Sequence, residues 1–238
     1  MNFFFEVLVG GLLSGLMYSL VALGFVLIYK ASAVFNFAQG AMVFFAVLSF
    51  VGFTELGLNF WIALPVTIAL MVCVGILTER LVLRPLVGQS EDTLLMATIG
   101  LAFVFEGLAQ LAWGVKVRRL DLGIADQPME WLADKADILV SQLDIAAGLV
   151  SGIMVAVLSL IFSKTKVGRG LRAVADDNAA ALSIGIPLRQ ILVVVWATAG
   201  VVALVAGMMW GARSGVQFAL VGVALKAMPV LILSLIHI

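Results

Sequence analysis

The sequence predicts an all-α, polytopic transmembrane helical bundle, and three observations carry that prediction. Hydrophobic residues make up 63% of the 238 and charged residues 12%, against about 45–50% and about 25% in ordinary soluble domains. The charges are confined to a few short stretches. Between them lie apolar runs of roughly 17–25 residues, the length a helix needs to cross about 30 Å of hydrocarbon while satisfying its own backbone hydrogen bonds. Lipid is therefore the expected solvent, and residues 1–238 are expected to form a single transmembrane domain.

Seven runs qualify in order. The first, Phe3 to Tyr29, is followed by Ala31-Ser32-Ala33, which imitates a cleavage site. No basic residue precedes it, and it exceeds the roughly 7–15 residues of a signal h-region, so it is expected to be a retained first span. The second, Val34 to Phe53, opens with the polar string Phe35-Asn36-Phe37-Ala38-Gln39-Gly40. Phe60 to Leu77, Leu94 to Trp113, Ile145 to Phe162 and Ile191 to Trp210 follow, and Val216 to the C-terminus holds Lys226 and Pro229. The polar opening of the second span and the lysine and proline of the last suit broken or re-entrant segments lining a protein interior.

Basic loops orient such a bundle, because short connections rich in Lys and Arg stay on the cytoplasmic side. Lys30, Arg80, Arg84, Lys164, Lys166, Arg169, Arg172 and Arg189 fall on one side if all seven spans cross. The other side has the bare N-terminus, Glu55, Arg213 and a 31-residue connection from Gly114 to Asp144, in which six acids accompany four bases. The N-terminus is thus expected outside. Gly11 with Gly15, Gly148 with Gly152, and Gly207, Gly211 and Gly215 follow the small-xxx-small spacing that lets helices approach closely in lipid.

Several function classes are set aside. Fourteen basic and fourteen acidic residues cancel, so no net field points to nucleic acid or polyanions. No GxxxxGK[ST] loop occurs, so the chain is not expected to bind ATP itself. Cys73 and His237 are the only residues of their kinds, too few for a typical metal site. Ser14, between Gly11 and Gly15, lacks the oriented base that a nucleophilic hydrolase wants.

The hydrophilic stretch 163–190 is the most structured loop. After Lys164-Thr165-Lys166-Val167-Gly168-Arg169-Gly170-Leu171-Arg172, Asp176 suits an N-cap and Gly185 a C′ position, with Pro187 beyond. A short surface helix is expected there, with Ala180, Ala181 and Ile184 as an apolar strip that either docks on a soluble protein or belongs to a solvated loop.

Four strings in order carry a resemblance: Phe35 to Gly40, Glu79-Arg80-Leu81-Val82-Leu83-Arg84-Pro85-Leu86, Ala97-Thr98-Ile99-Gly100-Leu101, and Gly168-Arg169-Gly170-Leu171-Arg172-Ala173-Val174-Ala175-Asp176-Asp177, extended by Ala179 to Pro187. Together they resemble the permease subunit of bacterial branched-chain amino-acid ABC importers, the LivH type. That resemblance implies an inner-membrane permease working with a second permease subunit, two cytoplasmic ATPase subunits and a periplasmic amino-acid-binding protein. ATP and Mg would be held by the ATPases, with no cofactor in this chain. It makes 163–190 the ATPase coupling loop, with Arg169, Arg172, Asp176, Asp177, Ala180, Ala181, Ile184 and Gly185 as its contact candidates. The family pattern would continue beyond Leu233, where Ser234-Leu235-Ile236-His237-Ile238 ends this sequence, so a truncated chain is expected.

Polar side chains inside spans are costly in lipid and mark solute paths. Asn36 and Gln39 at the start of span two, and Glu106 and Gln110 four residues apart on span four, are the pathway candidates. Glu106 is expected to meet substrate or a proton, or to pair with Lys226 or a backbone group. A secondary transporter or channel is the rival reading. Its signature would be broken spans paired between two related halves, and no such repeat is visible.

Overall fold

The computed structural model describes residues 2–32, 35–86, 88–130, 139–176, 181, 183 and 185–236. Eight α-helices are described: α1 (Asn2–Ser32), α2 (Gln39–Glu55), α3 (Phe60–Thr78), α4 (Glu91–Trp113), α5 (Gln142–Lys164), α6 (Lys166–Asp176), α7 (Leu188–Ser214) and α8 (Val221–Ile236). Short polar residues start three of them. The side chains of Asn59, Ser90 and Ser141 accept from the backbone N–H of Trp61, Thr93 and Leu143, covering donors that the first turns of α3, α4 and α5 leave open.

Five helices are long and apolar enough to span a bilayer, namely α1, α3 with the turns that extend it to Leu86, α4, α5 and α7. The segments expected as the second and last spans form shorter apolar helices, Gln39–Glu55 and Phe218–Pro229. α2 is the axis of the bundle, with every residue from Gln39 to Gly52 buried. Around it stand the inner half of α1, with α3, α4, α7 and α8. The outward faces carry exposed apolar side chains such as Trp61, Phe103, Leu111, Ile153 and Leu160. Such a surface suits hydrocarbon rather than water.

Because lipid tails are as apolar as leucine, close packing must hold these helices together. The glycine spacing read from the sequence locates only part of that packing. A Cβ on Gly207 would lie 2.7 Å from the Val43 oxygen, and one on Gly148 would lie 2.4 Å from Leu13. Gly11, Gly15 and Gly152 instead face open space, and Gly215 ends α7 with φ 78°. A close crossing without such spacing is that of α3 and α7, where Gly75 meets the Trp196 carbonyl and Gly200 that of Met71.

α3 does not stop cleanly. It widens into a π-turn at Glu79–Leu83 and a 3₁₀ turn at Arg84–Leu86. The carboxylate of Glu79, 1% exposed, pairs there with Arg84 at 3.2 Å. At the opposite end of the bundle Arg118 exchanges two backbone hydrogen bonds with Val216 and donates to Glu55 and to the Trp113 carbonyl. That one residue ties the long connection to the ends of α2 and α4 through its side chain and to the approach to α8 through its backbone.

Candidate functional site

Asn36 and Gln39 sit where the chain re-enters the bundle. After α1 ends at Ser32, Phe35 packs back on Phe25 and Tyr29, and α2 begins with Gln39 against Gly24. Gly24 lies eight residues before the end of α1, so α2 starts about 12 Å inside the bundle. An irregular backbone at such depth needs polar partners, and side chains supply them. Asn36 Oδ1 accepts from the Ala38 N–H at 3.1 Å. Asn36 Nδ2 donates to Gln39 Oε1 at 3.3 Å, and Thr98 Oγ1 of α4 stands 3.1 Å from the Phe35 carbonyl oxygen and 3.4 Å from the Phe37 nitrogen. Gln39 Nε2 is fully buried without a partner among the described residues.

The other chain break arrives from the opposite end. α7 closes at Ser214, Val216 touches Gly211, Phe218 meets Phe44, and the Val221 carbonyl oxygen would be 2.3 Å from a Cβ on Gly40. The two short helices α2 and α8 thus begin beside one another in the protein interior, each fed by a segment that dips in from its own side.

Glu106 and Gln110 do not join this cluster. Glu106 lies eight residues beyond Thr98, about 12 Å further along α4. Both are half-buried, flanking the stripe of Leu101, Phe105 and Ala109 by which α4 packs on α2. Of the alternatives open for Glu106, the ion pair with Lys226 is not formed. Lys226 is exposed on α8, which packs on α1 and α2. Sequence reasoning singled out neither Thr98, although it lies in one of the quoted strings, nor Gly24, which only the packing reveals.

At the end of the bundle that carries Lys30 and the Glu79–Arg84 pair, the basic stretch expected as a loop entry is itself the helix α6. Thr165 Oγ1 accepts from the Gly168 N–H at its start. Gly168, Leu171 and Val174 are buried while Lys166, Arg169 and Arg172 are exposed, the one-sided pattern of a surface helix. Asp176, expected as an N-cap, is itself the last helical residue of α6. Downstream, Ala181 and Ser183 are helical, Gly185 has φ 81°, and the Ile186 N–H bonds to the Ala181 carbonyl at 3.0 Å, which is a Schellman end. Ala181 is turned into the protein's own core, so it is not free for an outward strip. Asp177, Ala180 and Ile184 lie outside the described residues. A groove of about 420 Å³ runs between α6 and α7, with Lys166 and Arg169 on one wall and Ile186 and Ile191 on the other.

Residues 7–238 match the family described as branched-chain amino acid transport system / permease component. The chain belongs to this permease family. It is 24% identical over 222 residues to the high-affinity branched-chain amino acid transport system permease protein BraD of Pseudomonas aeruginosa, covering 90% of this chain and 72% of that one. It is 21% identical over 225 residues to LivH of Escherichia coli K12, with coverages of 90% and 72%. A probable LivH of Methanocaldococcus jannaschii is 28% identical over 214 residues, covering 84% of this chain and 64% of its own length. No solved structure matches. The re-entrant cluster at Asn36 and Gln39, the turn at Glu79–Arg84 and the amphipathic α6 are thus features of a membrane component of a transport system.

Proposed function

We propose that this permease is the membrane-spanning subunit of an ATP-binding-cassette importer that moves branched-chain amino acids, or related small amino acids and amides, across the bacterial inner membrane. It works by alternating access with a second permease subunit, two cytoplasmic ATPases and a periplasmic binding protein. The N-terminus and the connection after α4 face the periplasm, and α6 with the segment to Gly185 meets the ATPases. The observation that supports this reading best is the meeting of two interrupted helices at Gly40 and Val221, beside the buried amides of Asn36 and Gln39. Discontinuous helices that start at mid-depth line substrate sites, because their first N–H groups and nearby polar side chains are available to solute. Rocking one short helix against the other opens that point to either side of the membrane.

The test is uptake of labelled leucine by proteoliposomes holding the permease pair, the ATPases and the binding protein. Uptake that requires ATP, together with recovery of ATPase subunits in a membrane pull-down that Ile184→Glu abolishes, is the expected result. Uptake driven by an ion gradient without ATPases would overturn the importer reading in favour of a secondary carrier.

A further inference from the structure

A crevice of about 770 Å³ opens between the ends of α1 and α5 and the side of α6, and the transport cycle outlined above makes no use of it. Its walls are apolar: Leu23, Val26 and Leu27 of α1, Leu158 and Phe162 of α5, and Val174 of α6. Its charged lining residues among those described are Lys30 and Arg172, and no described acid lines it. Lys30 is half-buried and forms no ion pair among the described residues. Arg172 is held in place by donating to the carbonyls of Phe162 at 3.0 Å and Ser163 at 3.3 Å. Those bonds use two of the five guanidinium N–H groups and leave the rest for an anion.

The position of this crevice selects its occupant. Two candidate spans, α1 and α5, end at it, so its mouth lies at the bilayer surface and its apolar walls at acyl-chain depth. A small water-soluble anion would answer the two cations and leave the apolar walls wet. An apolar segment would fill the walls and leave the cations unpaired, at a desolvation cost. An amphiphile with an anionic head satisfies both, and basic pockets between membrane helices take such headgroups. We propose that this crevice binds one anionic phospholipid, its phosphate between Lys30 and Arg172 and an acyl chain along Leu23, Val26 and Phe162. Since Arg172 belongs to α6, the bound lipid also braces that helix against the end of α5.

The experiment uses the full chain, extracted in mild detergent, delipidated, and titrated with phosphatidylglycerol or phosphatidylcholine of the same acyl chains. Bound lipids are counted by native mass spectrometry, and thermal unfolding is followed in parallel. One phosphatidylglycerol is expected to be retained in preference to phosphatidylcholine and to raise the unfolding temperature. Lys30→Gln is expected to weaken its retention about fivefold, the effect of one basic residue at an anionic surface. Ser159→Trp, at an exposed position on the crevice wall, should abolish retention while leaving the lipid-free unfolding temperature unchanged. Should Lys30→Gln fail to fold, Ser159→Trp and the comparison of the two lipids still decide. Equal retention of the two lipids, retention indifferent to both substitutions, or displacement of phosphatidylglycerol by inorganic phosphate at millimolar concentration would each overturn the proposal.

Discussion

At the residue scale, the two amides of the re-entrant segment are predicted to separate stability from transport. Asn36 holds the Ala38 N–H and the Gln39 side-chain oxygen Oε1, so Asn36→Ala leaves buried polar groups unpaired. It should cost about 1–3 kcal/mol, read as a lower unfolding temperature. Gln39 is different because its Nε2 already lacks a partner among the described residues. Gln39→Leu removes that orphan donor while giving up the bond from Asn36 Nδ2, so the two effects offset and stability should stay within about 1 kcal/mol of the original, while uptake in reconstituted liposomes falls by tenfold or more. Wild-type uptake with Gln39→Leu would show that this amide has no part in the solute path. Glu106 illustrates the limit of sequence reasoning at this scale. Its place in an apolar run marked it as a pathway candidate, but a helix position does not say how the helix is rotated: α4 turns its 98–101–105–109 stripe to the core and leaves Glu106 half-buried at its flank.

At the scale of elements, the contacts between helices decide which glycines matter. Gly40→Ala places a Cβ 2.3 Å from the Val221 oxygen, and Gly75→Ala places one 2.6 Å from the Trp196 oxygen. In both cases the obstacle is backbone that cannot rotate away. Each should lose about 1–3 kcal/mol by overpacking, with Gly40→Ala also slowing transport because α8 must shift from α2. Gly15→Ala, with nothing within 4 Å, should be neutral, or stabilising by up to about 1 kcal/mol through helix propensity. Thermal unfolding of the three variants in one detergent checks the set, and equal effects at all three positions would refute the packing assigned here. The sequence motif ranked Gly15 above Gly75 because spacing records the chance of close approach, whereas the partner helix determines where it happens.

At the scale of the whole molecule, most of the basic residues gather at one end. Lys30, the Glu79–Arg84 turn and α6 lie at the ends of α1, α3 and α5, while Arg118, Arg213 and Asp144 lie at the other. Arg213 there joins Asp144 at 3.3 Å and Ser14 at 2.9 Å, tying α7 to α5 and α1. Retention of short basic loops in the cytoplasm makes a clear prediction for reporter fusions. Alkaline phosphatase inserted at Gly57 should be active and at Gly88 inactive, with a cytoplasmic fluorescent reporter giving the reverse. The opposite pattern would invert the orientation and move α6 away from any cytoplasmic ATPase.

Composition alone was enough to dictate a helical membrane bundle, because hydrocarbon offers the backbone no hydrogen-bond partner and only long apolar helices satisfy it internally. Four short strings were enough to identify the family, and the polar opening of the second segment already marked it as irregular. The three-dimensional arrangement decided the rest. It showed that α2 starts beside Gly24 rather than at the membrane surface, that α8 begins against it, that the basic stretch 166–176 is a helix, and that Ala181 points inward. Those outcomes depend on the depth and rotation of each helix relative to its neighbours, which arise from contacts between residues as far apart as 40 and 221 and leave no trace in local spacing.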